Sequence, residues 1–163
     1  MNEQTQITGE HVSPFKTRYD NFIGGKFVPP VKGQYFDNIT PITGAKVCEV
    51  ARSTAEDVEL ALDAAHAAKD AWARTSAAER SNLLLKIADR IEENLELIAT
   101  AETWDNGKPI RESRDIDVPT VVRHFYHHAG WAQVMEQQLP DYQAVGVVGQ
   151  IIPWNFPLLM LAW

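Results

Sequence analysis

The sequence predicts an α/β protein in which β hairpins come first, amphipathic helices follow, and an apolar strand leads into a last helix. Three observations carry that prediction. Apolar and polar residues alternate around Gly- and Pro-containing turns between Tyr19 and Ala51. The period changes to helical spacing after Ser53. The run AVGVVGQII at 144–152 then has strand length and no charged residue, as in a strand buried on both faces.

Residues 1–18 read as a loose polar arm. YDNFIGGKFV, from Tyr19 to Val28, reads as two short strands around a Gly24-Gly25 turn, where the tight hairpin needs positive φ. YFDNITPITGAKVCEVA reads as a second β pair turning near Pro41 to Gly44. Both pairs are expected as an edge ribbon covering helices. Ser53-Thr54-Ala55-Glu56 has the spacing of a capping box, and Val58, Ala61, Leu62, Ala65, Ala68 and Trp72 follow as an apolar stripe. Ser76-Ala77-Ala78-Glu79 repeats the box. The stripe behind it is Leu84, Ile87, Ala88, Ile91 and Leu95, with Arg80, Lys86, Arg90, Glu92 and Glu93 facing water. A third helix is predicted over Leu95 to Asn106, with Gly107 in the left-handed position after it and Pro109 unable to continue it. A long helix is predicted over Val118 to Glu136, with Pro119 tolerated in its first turn and Pro140 closing the region. Pro157 is placed to open the last helix.

Composition narrows the functional classes. The 163 residues are 45% hydrophobic and 23% charged, which is ordinary for a globular protein. A net charge of −7 argues against non-specific binding to nucleic acid or anionic membranes, because both present phosphates. Cys48 is the single cysteine, so a reducing, cytoplasmic compartment is expected. MNEQTQITGEHVSPF has neither the basic nor the apolar segment of a secretory signal. Residues 144–163 approach the ~20 residues of a membrane span. Gly146, Gly149, Gln150, Pro153, Asn155 and Pro157 interrupt them, so no span is expected.

Few residues suggest chemistry by themselves. His124, His127 and His128 share a helix face, but HFYHH lacks the glutamate of a zinc-binding H-E-x-x-H helix. A solvated or partly packed face is expected. Cys48 lies in a β segment without a local histidine and reads as a small buried apolar residue. Gly146-x-x-Gly149 falls short of a dinucleotide fingerprint and indicates close backbone approach. Trp104-Asp105-Asn106-Gly107-Lys108-Pro109 reads as a helix exit. Asn155, between Pro153 and Pro157, has two readings. Its side chain caps the last helix, or its N–H groups await a substrate oxygen, since a buried amide left unpaired is costly.

The segments NFIGG, DNITPITG, ETWDNGKPIRE, HHAGWA and VGVVGQIIPWNFPLLMLAW, in that order, resemble the NAD(P)-dependent aldehyde dehydrogenase superfamily over nearly the whole chain after residue 18. PWNFP after an apolar strand, with DNGKP at a helix end upstream, is specific to it. The resemblance implies the N-terminal part of a chain several hundred residues long, truncated at Trp163. Residues 19–137 then begin the NAD-binding domain. Residues 138–143 form a shortened oligomerisation-arm connection, and 144–163 supply the first strand of the open nucleotide-binding sheet and the start of its helix. The implied reaction oxidises an aldehyde to a carboxylic acid through a thiohemiacetal and a thioester on a cysteine. That cysteine, the glutamate base and a glycine-rich nucleotide loop lie downstream in the family. The fragment itself is therefore expected to be inactive.

Asn155 matches the asparagine that stabilises the oxyanion. Ile151, Ile152, Pro153, Trp154 and Asn155 match the edge of the cofactor cleft, at the carboxyl end of a strand. Phe156, Leu159, Met160 and Trp163 match one wall of the substrate tunnel, with Thr120 facing it from the long helix. Ile39 and Asp105 match positions near a monovalent cation. The cofactor implied is NAD or NADP, since the residues that read the ribose lie further on. The partners implied are an aldehyde and further copies of the chain. QVMEQQLPDYQA is too short for the usual arm hairpin, which favours a dimer. The alternative is a non-catalytic truncated relative acting as an interaction or structural module.

Overall fold

The fold is seen in a computed structural model, which describes residues 13–163. The chain divides into two compact units. One holds the described residues up to Ala68 together with Trp104–Gly107; the other holds Lys69–Thr103 and Lys108–Trp163.

The first unit is β-rich. Strands β2 (Asn21–Ile23) and β3 (Lys26–Val28) form the predicted hairpin, with Phe22 opposite Phe27 and a turn at Gly24 and Gly25, whose φ angles are 59° and 78°. Strands β4 (Tyr35–Ile39) and β5 (Lys46–Ala51) pair antiparallel, with a register shift at Asn38/Ile39. The sequence pattern did not anticipate β1 (Arg18–Tyr19), which adds to β5 in parallel. A two-residue strand is too short for periodicity. Side chains hold it: Arg18 pairs with Glu49, and its guanidinium carbon lies 4.2 Å from the Tyr35 ring centroid. Arg18 is thus part of the sheet and not of a loose 1–18 arm; residues 1–12 of that expected arm lie outside the described residues. Cys48 is buried on β5, and burial pushes its thiol pKa up, as befits an inert thiol.

Helix α1 (Ala55–Ala73) begins where predicted, but its cap differs. The Thr54 amide and hydroxyl donate to Asp57 Oδ2 at 2.8 and 3.2 Å. The other oxygen of Asp57 accepts from the Asn21 amide and the Val31 backbone at 3.1 and 2.8 Å. Ser53 instead donates to Asn21 Oδ1. The box is shifted by one residue because Asp57 also answers donors from distant chain, which Glu56 does not. The predicted α1 stripe is present in the sequence, yet Val58, Leu62 and Trp72 are exposed.

The second unit is helical. Helix α2 (Ala77–Glu93) has the reciprocal Ser76–Glu79 box as predicted. Helix α3 (Leu95–Asn106) ends at Gly107, φ 81°, where an added Cβ would lie 2.9 Å from Pro41 Cγ. Helical backbone resumes earlier than expected, in α4 (Ile110–Glu112), and passes through a five-residue π-helical segment, Ser113–Asp117, into α5 (Val118–Gln138). Val118 N–H bonds the Ser113 carbonyl, five residues back, so the chain reaches Pro119 without breaking the helix.

Three polar pairs join α2 to α5. Arg80 meets Glu136 at 3.2 Å, Ser81 accepts from Gln133 at 3.1 Å, and Asp89 accepts from Tyr126 at 2.8 Å. The falling partner numbers show that the helices run antiparallel. Arg80, expected in water, is therefore largely covered, whereas Lys86, Arg90, Glu92 and Glu93 are exposed. Ala88, Val118, Val121, Val122, Ala129 and Ala132 form the core of this unit.

Residues 144–152 carry no strand pairing, and Val145, Val148 and Ile151 are exposed. The buried strand expected here is therefore not formed: a strand needs a hydrogen-bonded neighbour, and none adjoins this run among the described residues. Gly149 has open space around it, and a Cβ on Gly146 (φ 101°) would meet only the Lys69 side chain, at 3.5 Å, so the close backbone approach read from the glycine pair is not seen among the described residues. Helix α6 (Pro157–Ala162) opens at Pro157 as predicted. Among the described residues no helix is long and apolar enough to cross a membrane.

The cap predicts a test. Asp57→Asn should lower the melting temperature at neutral pH more than Ser53→Ala does. Amide bonds from Thr54 and Val31 hold the Asp57 carboxyl below its ordinary 3.8, so its contribution is present above that pH and lost as pH falls beneath it. The gap between wild type and Asp57→Asn should therefore close in acid. Thermal melts across pH check both points, and a gap that widens in acid would contradict the assignment.

Candidate functional site

The predicted site residues fall in both units. Ile39 and Asp105 belong to the first. Asn38 Nδ2 donates to Asp105 Oδ1 at 2.6 Å, which fixes one exposed carboxylate beside the end of β4. The carboxylate is an oxygen ligand of the type a monovalent cation takes, though one of its oxygens already accepts from an amide. Among the described residues no group of three or more His, Cys, Asp or Glu gathers to hold a metal.

Thr120 and residues 151–163 belong to the second unit. Asn155 does not cap α6: the capping position is Phe156, and no side chain bonds the first turn. The helix begins at Pro157, which makes Phe156 the capping residue, and phenylalanine has no side-chain acceptor. The Asn155 side chain is exposed, and its amide makes no hydrogen bond to the described residues. Ile151 and Trp154 are also exposed, while Ile152 is half-buried and Pro153 lies open.

The face of α6 is partly turned inward. Leu159 is buried, Phe156 and Met160 are half-buried, and Trp163 is exposed. Gln150 Nε2 donates to the Met160 carbonyl at 2.9 Å and to that of Leu161 at 3.3 Å. Trp163 Nε1 donates to His124 Nε2, and the rings meet edge to face with centroids 5.5 Å apart. Burial and the neighbouring His128 and His127 lower the His124 pKa, which keeps the ring neutral and able to accept. Thr120 and His124 are one turn apart on α5, so Thr120 shares the face that Trp163 meets. Its hydroxyl donates to the Ile116 carbonyl at 2.6 Å.

Sequence reasoning missed the charged centre beside this tail. Lys108 bonds Glu102 at 3.0 Å and also Asp117. The three side chains are 14%, 4% and 3% exposed, respectively. Burial raises the Glu102 pKa, and the nearby Asp117 adds to the rise against the opposing pull of Lys108. Burial by itself would lower the Lys108 pKa, but its bonds to Asp117 and Glu102 outweigh that and raise it. The ammonium also lies 4.3 Å from the centroid of the Phe156 ring. A signal for the centre existed. Leu95, Ile98, Ala99 and Glu102 fall at i, i+3, i+4 and i+7, which puts a carboxylate on the buried stripe of α3.

Comparison with known proteins places this arrangement. Residues 27–163 match the model of the aldehyde dehydrogenase family. An aldehyde dehydrogenase of Paracoccus denitrificans is 58% identical over 99% of the chain and 34% of its own length. The NAD-dependent aldehyde dehydrogenase of Sinorhizobium meliloti superposes with a TM-score of 0.82 at 34% identity, over 91% of this chain and 32% of its own. The NAD+ complex of the Bacillus cereus aldehyde dehydrogenase gives 0.78 at 34% identity, over 90% and 32%. The chain thus spans about a third of the length of the curated relatives it matches. The family is one of nicotinamide-dependent oxidoreductases, and the mixed α/β fold read from the sequence is that of the N-terminal part of its structures.

The charged centre predicts an ordering of variants. Lys108→Met leaves two buried carboxylates without their cation and should destabilise by ~3–5 kcal/mol at neutral pH. Glu102→Gln keeps the Lys108–Asp117 pair and should cost less. Because burial raises the Glu102 pKa above its ordinary 4.5, the folded state holds that proton the more tightly. Lowering the pH should therefore restore part of the loss in Lys108→Met. Urea titrations at two pH values measure this, and an equal loss at both would argue against ionised Glu102 as the cause.

Proposed function

The chain belongs to the aldehyde dehydrogenase family, and we propose that it supplies the N-terminal portion of an enzyme that oxidises aldehydes to carboxylic acids with NAD. The observation that carries this reading is Asn155: an exposed amide without a hydrogen bond to the described residues, in a turn between an apolar run and α6. Such an amide is available to donate to an oxygen that becomes negative when a thiol attacks an aldehyde carbon. Preorganised donors of this kind stabilise developing charge more than water does, since they need no reorientation during the reaction. When bound, NAD accepts the hydride that leaves the substrate carbon.

The remaining assignments belong to the same proposal. Ile151 to Asn155 edge the cofactor cleft, and NAD is preferred to NADP because the Sinorhizobium and Bacillus relatives are described with NAD. Phe156, Leu159, Met160, Trp163 and Thr120 line the aldehyde tunnel. In that role α6 presents Phe156, Met160 and Trp163 more than Leu159, which is buried. Ile39 and Asp105 sit beside a monovalent cation, with support from the Asn38 bond that orients Asp105. The whole enzyme is a cytoplasmic homo-oligomer, with a dimer favoured by the brevity of the 138–143 connection.

Two experiments test this. In the enzyme that carries this segment, Asn155→Ala should lower turnover by ~10²-fold or more, with a smaller effect on NAD affinity. Near-normal turnover would remove the oxyanion role. The 163-residue chain alone should not oxidise aldehydes, because its one thiol, on Cys48, is buried, and should not bind NAD at micromolar concentration, because residues 144–152 pair with no neighbouring strand among the described residues. Turnover that survives Cys48→Ser, or saturable NAD binding by calorimetry, would overturn the reading.

A further inference from the structure

We propose that Lys108 is a positioning residue for the 153–157 turn, holding Phe156 through its ring and so fixing the direction in which the neighbouring Asn155 amide points. The proposal rests on the reading of Asn155 above for its catalytic meaning, and on the geometry around Lys108 for its substance.

The ammonium is itself immobilised. Glu102 near the end of α3 and Asp117 at the start of α5 both bond it, so it has little freedom to move along its four-carbon stem. A cation held this way is a fixed point, and it lies 4.3 Å from the Phe156 ring centroid. Attraction between a partly desolvated ammonium and a ring face is stronger than at an exposed site. Apart from the Met160 N–H, which bonds the Phe156 carbonyl at 2.9 Å and opens α6, the other tethers of the tail lie away from the turn. Gln150 bonds the carbonyls of Met160 and Leu161, and Trp163 bonds His124. Within the turn, Pro153 and Trp154 are exposed and Asn155 makes no hydrogen bond to the described residues. Phe156 and Pro157 are the half-buried members, and of the two it is the Phe156 ring that meets the fixed ammonium, so this ring is the handle by which the folded unit can hold this backbone. The chemistry also explains a feature that stability alone does not require. Two carboxylates on one lysine cost desolvation, and an apolar cluster of the same volume would serve packing as well. A charge aimed at an aromatic ring has a use that an apolar cluster lacks.

Hydrogen exchange of the 163-residue chain tests the coupling directly. Phe156→Leu leaves Lys108, Glu102 and Asp117 intact and removes only the ring face. The Met160 amide, whose 2.9 Å bond to the Phe156 carbonyl depends on where the turn holds that residue, should exchange about threefold to tenfold faster in it, with the protection of α2 and α5 unchanged. Lys108→Met should do the same if circular dichroism shows that it folds, and Lys108→Arg should restore the slow exchange, since a guanidinium can hold both carboxylates and the ring. Unchanged exchange in Phe156→Leu, or equal acceleration in Lys108→Arg and Lys108→Met, would overturn the proposal. In the enzyme that carries this segment, Phe156→Leu and Asn155→Ala should combine less than additively in kcat, as groups acting through one amide must. Turnover in Asn155→Ala reports on the oxyanion role and exchange reports on the turn, so the two can fail separately.

Discussion

Taking a carboxylate out of water costs several kcal/mol, and the helical unit does so twice within reach of one lysine. Glu102 and Asp117 lie on different helices, and each would be untenable where it is without an opposite charge. Lys108 answers both from the short link between α3 and α4. The arrangement is therefore less a contribution to net stability than a condition on geometry. The end of α3, the link and the start of α5 can satisfy the buried charges in few ways. Thr103 and Ser113, whose hydroxyls meet at 2.9 Å, lie between the same two elements and reinforce that choice.

Around that centre the packing is made by small side chains. Ala88, Ala129 and Ala132 are almost wholly buried between α2 and α5, which lets the two backbones come close. Polar pairs along the seam, from Arg80–Glu136 at one end to Asp89–Tyr126 at the other, then fix the register of two smooth surfaces that could otherwise slide. The tyrosine hydroxyl is tied firmly enough to its carboxylate that its pKa is pushed up to about 12.

Much of this was legible in the residues. The Ser76 box, the α3 boundaries, the Gly24-Gly25 hairpin and the Pro157 start each rest on local rules, and local rules survive whatever surrounds them. The failures share a different origin. Ser53 looked as good a cap as Thr54 until Asp57 was seen to collect donors from Asn21 and Val31, far away in sequence. The 144–152 run has strand composition, but a strand is a property of two chains, and composition describes one. The α1 stripe has the right spacing and no cover among the described residues. Within the candidate site, PWNFP could be picked out because its order of residues is unusual. Lys108 lies in the equally recognisable DNGKP, but order says nothing of its charge partners, which came to light only once α3 and α5 were placed. Asn155 lay between: its identity was readable, but only the backbone showed that it leaves the helix uncapped.

The π-helical segment has a consequence that reaches beyond its five residues. An α-helix advances ~100° per residue, so one additional residue in a turn resets the angular phase of everything after it. The wide turn takes up such a residue, and Val118, Val121 and Val122 beyond it are buried. A further residue inserted in 113–117 would exceed what one wide turn absorbs and would rotate α5 about its axis relative to α4, carrying valines outward and polar neighbours inward. Length is thus under stricter control in this stretch than the identity of several of its exposed side chains. Substitutions at Asp115 or Ile116 alter one surface position, whereas an insertion there would rewrite the whole face of the longest helix.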